Sequence, residues 1–281
     1  SLRSLEKNVK VELTPYLDGD VKNEDANYDE FFWEGLEKEN KQGKALLSMK
    51  TRKSDFVVSA AMDWELNKKE RRVELLTGPG SENYVGNKII FEAEAGENIE
   101  LNKFIAVCTS RDYEADQVSK KAETKVSEAA FRGYDQLFAE HKEAWAKIWQ
   151  ESDIKIEGDL EAQVALRFNL YHNTICTPAH TDRLPIGARG LSCQAYQGAA
   201  FWDQEIFNLP MFLFTETETA KNILKYRYHT LNGARKKAED LGYAGAFYAW
   251  ISGKSGKELC PSFFFKDVIS GRKIRNHFND W

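Results

Sequence analysis

Apolar and polar positions alternate over short runs through roughly the first 110 residues, and then the period changes. "NVKVELTPYL", "KALLSMKT", "FVVSAAMDWEL", "RRVELLTG", "NKIIFEAEA" and "NIELNKFIAVCTS" are rich in Val, Ile and Phe, and "DGD", "GPGSEN" and "AGEN" separate them as turn signals. β-Branched and aromatic residues pack well on a pleated, half-buried surface, whereas Gly, Pro and Asn end strands. Many short strands with little helix between them predict an antiparallel sandwich. Alternating charge from Lys88 to Glu94 predicts one sheet face in solvent.

From about Ser119 the apolar positions recur at three- and four-residue steps, through Val126, Ala129, Ala130, Tyr134, Leu137, Phe138, Trp145 and Trp149. That spacing predicts one helix, or two nearly continuous ones, of roughly eight turns, with Ser119 as N-cap. His141, Trp145 and Trp149 share a stripe suited to packing against a following domain. "DIKIEG" reads as a short strand. "DLEAQVALRFNLYHNTICT" follows, with Asp159 as cap, an inward stripe of Ala162, Ala165, Leu166, Leu170 and Tyr171, and Pro178 as terminator. "TETETAKNILKYRYHTLNGARKKAEDLGY" holds one or two further helices, capped by Thr215 or Thr217 and stopped at Gly242. The resulting fold class is α+β and multidomain: residues 1–115 as part of a sandwich, 116–158 as a helical linker and 159–281 as an all-helical region.

Composition narrows the function. The 281 residues are 42% apolar with a net charge of −5, the balance of a globular chain rather than of a duplex nucleic-acid binder, which needs a basic surface. No apolar run approaches the roughly 18 residues of a membrane span, and "SLRSLEKNVKV" has no signal-peptide core. Cys108, Cys176, Cys193 and Cys260 lie far apart with no C-x-x-C, a spacing that gives neither a zinc site nor a dense disulfide framework and fits isolated thiols in a cytoplasmic chain, with two bridges in a secreted chain as the alternative. Asp18, Asp20, Glu24 and Asp25 lack helix-loop-helix calcium spacing and read as a polar turn.

The candidate chemistry sits in "QGAAFWDQEIFNLPMF". Sugars present apolar C–H faces ringed by hydroxyls, so their sites combine an aromatic platform with carboxylates or amides. Trp202 and Asp203 supply both in adjacent positions. Glu205 lies two residues on, about 200° around a helix, so the two carboxylates are a poor acid/base pair; one serves a ligand and the other holds local structure. Gly187, Gly190 and Gly198 surround Arg189, a residue able to order carboxylates through bidentate pairing. A second aromatic group, Tyr243, Phe247, Tyr248, Trp250 and Phe263 to Phe265, flanks the small-residue loop from Ser252 to Gly256. Near the end, Asn276 and Asp280 are candidate polar contacts, and His277 lacks a partner at a recognisable spacing. His229 falls on a helical pattern and reads as structural. Walker, dinucleotide, H-E-x-x-H and G-x-S-x-G motifs are absent.

Taken together, the A-R-G-L, F-W-D-x-E-I-F, Y-R-Y-H-x-L and G-A-R-x-K-A elements, in this order, resemble the inverting α-glucoside phosphorylases of glycoside hydrolase family sixty-five, which include maltose, trehalose, kojibiose and nigerose phosphorylases. The resemblance is firm over roughly residues 155–281, and "ELTPYLDGDVKNED" is similar to the family's N-terminal sandwich. It implies a β-sandwich, a helical linker and the first part of an (α/α)6 barrel. It also implies phosphorolysis of an α-linked glucose disaccharide with inversion, without a cofactor and with inorganic phosphate as co-substrate, in a homodimer when intact. Trp202 and Asp203 match the pair that holds the donor glucose, and Trp250 matches an acceptor-site aromatic. Two departures bear on the acceptor: Ile251-Ser252 stands where the family often has Glu-Ser, and Ala199 where it commonly has His. Asn276 remains a candidate polar contact. The family's general-acid glutamate is expected beyond Trp281, so the chain is expected to be a fragment that exposes apolar faces and is inactive alone. The alternatives are a hydrolase on the same scaffold and a non-catalytic carbohydrate-binding piece.

Overall fold

The computed structural model describes residues 1–22, 31–78, 82–191, 195–260 and 263–275. The chain divides into two compact units, Ser1–Trp145 and Ala146–Trp281.

The first unit contains ten described strands: β1 Leu2–Arg3, β2 Val9–Leu13, β3 Tyr16–Asp18, β4 Trp33–Lys41, β5 Lys44–Thr51, β6 Val57–Leu66, β7 Arg72–Leu76, β8 Tyr84–Ala93, β9 Asn98–Ile99 and β10 Leu101–Thr109. One four-stranded sheet runs β10-β6-β5-β4; the other runs β2-β8-β3, with β7 also on β8. Every pairing is antiparallel. The facing sheets bury Leu17, Leu47, Met49, Met62, Val85, Ile89 and Phe91 in one core. The first sheet's opposite face buries Leu46, Ala61, Phe104 and Cys108 against Val118, Ala122 and Val126 of helix α1, Val118–Ser152. Both faces of β5 are therefore covered, which is why "ALLSM" reads as a continuous apolar run. β8 alternates instead, with Ile89 and Phe91 buried and Glu92 exposed. Asn87 is buried with both sides of its amide hydrogen-bonded: Oδ1 accepts from Trp64 Nε1 and Gly43 N, both at 2.9 Å, and Nδ2 donates to Asn40 Oδ1 at 2.7 Å. The polar turn reading holds at its described residues, where Asp18 Oδ1 accepts from Asp20 N and Asp20 Oδ1 from Asn83 Nδ2.

Ser119 is not the N-cap. α1 begins at Val118 after a 3₁₀ turn, Ala115–Gln117, and the Ser119 hydroxyl instead meets Ser48 at 2.8 Å and Ser59 at 3.3 Å. Gly133, at φ 76°, breaks α1 into two helical stretches. Beyond it Tyr134 stacks on Phe138 and His141 meets Trp145 edge-on.

The second unit is mainly helical: α2 Leu160–Cys176, α3 Leu209–Thr215, α4 Thr217–His229 and α5 Leu231–Asp240, with short ribbons β11 Ala200–Phe201 on β12 Ile251–Ser252 and β13 Phe263–Lys266 on β14 Lys273–Arg275. Asp159 caps α2 through Oδ1 to Ala162 N at 2.9 Å. The expected strand at "DIKIEG" does not form. The Gln163 side chain takes the place of a neighbouring strand, accepting from Ile156 N at 2.7 Å and donating to Ile154 O at 3.0 Å. The expected inward stripe of α2 is also not buried, and Ala165 and Tyr171 are exposed. Neither Thr215 nor Thr217 caps α4. Glu216 occupies that position, and Thr215 Oγ1 donates back to Met211 O. Gly242 ends α5 at φ 81°, with its amide on Glu239 O. Among the described residues no helix is long and apolar enough to cross a membrane.

Candidate functional site

The F-W-D segment enters the second unit as strand β11 and turns at Trp202 into a π-helical turn, Gln204–Asn208, that continues as α3. Single π turns are uncommon and cluster at functional sites. Asp203 stands at the start of this helix and makes no capping bond, so its carboxylate is not consumed by the backbone. It lines a cleft of about 590 Å³ within the second unit. The cleft walls include Phe168, His172 and Asn173 of α2, Arg189, Tyr196, Phe201 and Trp250. Asp203 is the sole carboxylate among its described lining residues.

Trp202 lies beside the cleft rather than in its lining. Its ring meets Trp250 edge-on with centroids 5.1 Å apart, and Phe201 meets the same indole at 6.3 Å. Trp202 is 42% exposed. Ile251 pairs with Phe201 across the ribbon and is absent from the lining. Asn276 lies outside the described residues, as do His277 and Asp280. Trp202, Asp203, Trp250 and Ile251 are thus brought together at one two-stranded ribbon.

Glu205 turns away from Asp203, as two helical steps require, and forms a bidentate pair with Arg227 of α4, Nε–Oε1 and Nη2–Oε2 each 2.8 Å. The Arg227 guanidinium also donates to Phe201 O at 2.9 Å and Ser252 Oγ at 3.0 Å. Gln204, buried, accepts from Ile186 N and donates to Glu205. A second buried pair lies next to it. Glu258 accepts from Lys237 Nζ at 2.8 Å and from the amides of Trp250, Ile251 and Cys260. Burial alone would raise the Glu258 carboxyl; the Lys237 bond and the three amides outweigh it and hold the group below the usual carboxylate range. Burial pushes the Tyr226 phenol up, and its hydroxyl donates to Gly253 O at 2.8 Å.

The second aromatic cluster serves these cations. Phe247 lies 4.3 Å from Lys237 Nζ, and Tyr248 covers the Arg227 guanidinium. The Phe263 to Phe265 side chains lie outside the description. Arg189 lies over the Tyr196 ring at 5.9 Å. His229 pairs with Asp182 at 3.0 Å, whose carboxyl the histidine hydrogen bond lowers. Cys108 and Cys176 are free thiols, and no cluster of three or more metal-ligating side chains occurs among the described residues. Sequence reasoning did not find Arg227, Lys237 or Glu258: "RKKAED" and "GKEL" set their charges among other polar residues, the pattern of a solvated surface.

Comparison with known proteins places the chain in a family. Residues 1–148 match the N-terminal domain of glycosyl hydrolase family 65, and residues 167–279 match its central catalytic domain. The chain is 54% identical over 196 residues to 1,2-alpha-glucosylglycerol phosphorylase of Bacillus selenitireducens, covering 70% of this chain and 25% of the relative. It is 40% identical over 247 residues to nigerose phosphorylase of Lachnoclostridium phytofermentans, covering 87% and 32%. With kojibiose phosphorylase of Halothermothrix orenii it shares 35% over 280 residues, covering 95% and 35%. The chain therefore spans about a third or less of the length of these curated relatives. A solved chain assigned provisionally as a kojibiose phosphorylase from the human microbiome shares the fold, with a TM-score of 0.78 over 91% of this chain and 33% of that one at 24% identity.

Proposed function

The chain belongs to glycosyl hydrolase family 65, and on that premise we propose that it forms the donor-binding part of an α-glucoside phosphorylase. The carrying observation is the division of labour between two neighbouring carboxylates. Glu205 is committed to Arg227, while Asp203 faces the cleft beside Trp250. A cleft carboxylate next to paired indoles suits a hexose: its oxygens accept from two ring hydroxyls, and the Trp202 and Trp250 rings cover the C–H face.

In this reading phosphate attacks the anomeric carbon on the face opposite the leaving group. The glycosidic C–O bond breaks through an oxocarbenium-like transition state, and the departing oxygen takes a proton from a carboxylic acid that the family resemblance puts beyond Trp281. The product is β-glucose 1-phosphate, with configuration inverted. Asp203 fixes the donor ring so that the anomeric carbon meets both phosphate and acid, an orienting role.

The test uses the whole protein with phosphate and a panel of 1,2-α-glucosylglycerol, kojibiose, nigerose and maltose. Release of glucose 1-phosphate from one of them is expected, and release of free glucose alone would indicate a hydrolase. Asp203→Ala should lower that turnover by about a hundredfold or more. A rate near wild type would remove Asp203 from the site.

A further inference from the structure

We infer that Arg227 is the positioning residue of this site: its guanidinium ties together the two strands that carry the candidate sugar contacts, and so sets the spacing between the donor acid and the second indole. The inference rests on the reading of Asp203 and Trp250 as sugar contacts, and deepens it.

The ribbon is minimal. β11 and β12 have two residues each, paired Ala200 with Ser252 and Phe201 with Ile251. A two-residue ribbon has too few backbone bonds to hold its own geometry. Yet Trp202 and Asp203 leave one of its strands and Trp250 enters the other. Arg227, from α4, reaches all of it: Phe201 O on β11, Ser252 Oγ on β12, and both oxygens of Glu205 on the turn after Asp203. Arg227 is 8% exposed and Ser252 is 1% exposed, so these bonds are made out of water, where loss of one partner is costly. A planar guanidinium serves three directions at once, and a lysine ammonium at the same place cannot reproduce that fork. If the fork is lost, the ribbon loses the contact shared by both strands, and Asp203 and Trp250 become free to shift separately.

Two readouts in the whole protein test this. The first needs no substrate. Trp202 and Trp250 are close and steeply inclined, with centroids 5.1 Å apart and planes at 69°, an arrangement that couples the two indoles in circular dichroism. The pair's signal is the difference between wild type and Trp250→Phe. Arg227→Lys is expected to reduce that signal by about half or more, and to lower kcat/KM for the best α-glucoside of the panel about a hundredfold, mainly in kcat. Ser252→Ala removes the Arg227 bond to β12 and the longer contact of the same hydroxyl with Tyr226 Oη, at a site where a smaller side chain fits, and is expected to reduce both readouts in the same sense, kcat/KM by about fivefold. Added guanidinium ion should restore part of the signal and rate of Arg227→Ala by refilling the vacated position.

An unchanged indole signal in folded Arg227→Lys overturns the inference, as does a lost rate with the signal intact. If Arg227→Lys does not fold, a silent Ser252→Ala overturns it equally. The outcomes also separate this inference from the functional reading. A lost signal in Arg227→Lys, combined with an active Asp203→Ala, keeps the clamp and removes the sugar site.

Discussion

The sandwich unit buries a mainly apolar core, whereas the helical unit buries charged side chains beside an apolar core of Ile186, Leu209, Phe212 and Ile223. Between its sheets the first hides Met62, Val85 and Ile89 completely, and among the described residues its buried polar side chains, Ser48, Ser59 and Asn87, are all hydrogen-bonded. The second buries Arg227, Lys237, Gln204 and Ser252, while Phe207 and Phe214 are left largely in solvent. Apolar burial is non-directional and stabilises in proportion to area. A buried ion pair adds little net stability, because desolvation cancels most of the attraction, but it is costly to break and it fixes direction. One unit is thus built for stability and the other for geometry. The polar interior of the second lies behind the ribbon that carries the candidate site.

The largest effect expected from this contrast lies in the sandwich. Ile89→Ala opens a cavity at a position of zero exposure, among facing side chains of both sheets, and should cost about 4 kcal/mol. Calorimetry of the whole protein should show an early transition that salt and pH between 5 and 8 do not recover. A cost below about 1 kcal/mol would mean that the sandwich does not depend on its apolar core.

A smaller effect, of opposite character, is expected at Glu258. Glu258→Gln removes the carboxylate that pairs with the buried Lys237 ammonium, at a cost of about 3 kcal/mol. The pH dependence follows from the lowered carboxyl. Because its folded value lies below the free value of about 4.3, the stabilisation is complete above that value and is lost as pH falls through the folded one. Hydrogen-exchange protection of peptides covering 250–260, taken relative to the intrinsic exchange rate at each pH, should fall in acid in the wild type. In Glu258→Gln that protection should already be low at neutral pH and respond less to acid. An acid response equal in both proteins would assign the effect to another group.

How much of this the sequence carries depends on how local each cause is. The sandwich strands are legible because Val, Ile and Phe alternate with polar residues under one rule, face by face. β4, "WEGLEKENK", is invisible to that rule: it is an edge strand, mostly exposed, held by backbone pairing to β5 across a register shift between Gly35 and Glu37. Asp159 is legible as a cap since its partner is three residues away. Helical spacing likewise separates Asp203 from Glu205. What each carboxylate faces is not legible, because Arg227 lies 22 residues from Glu205 on another helix. Glu258 leaves still less trace: three of its partners are backbone amides, which no residue type announces.

The smallest expected effects come from a pair of glycines, one in each unit, that share a backbone conformation and differ in surroundings. Gly43, at φ +89°, turns β4 into β5 with nothing within 4 Å of where a Cβ would stand. Gly43→Ala therefore meets only the left-handed strain of an L-residue and should cost about 1 kcal/mol. Gly256, at φ +71°, carries the same strain, but its Cβ would stand 2.4 Å from Thr230 O, at the junction of α4 and α5. That neighbour is backbone, so relief requires the loop to retreat from the helices, and Gly256→Ala should cost about 2 kcal/mol or more. The loop it belongs to contains Glu258 and ends β12, so the retreat should also loosen the Trp250 and Ile251 amides. Paired denaturation curves of the two variants provide the measure. Equal costs would show that the close approach of loop to helix junction carries no energy, and that the helical unit is not held by geometry in the way its buried charges imply.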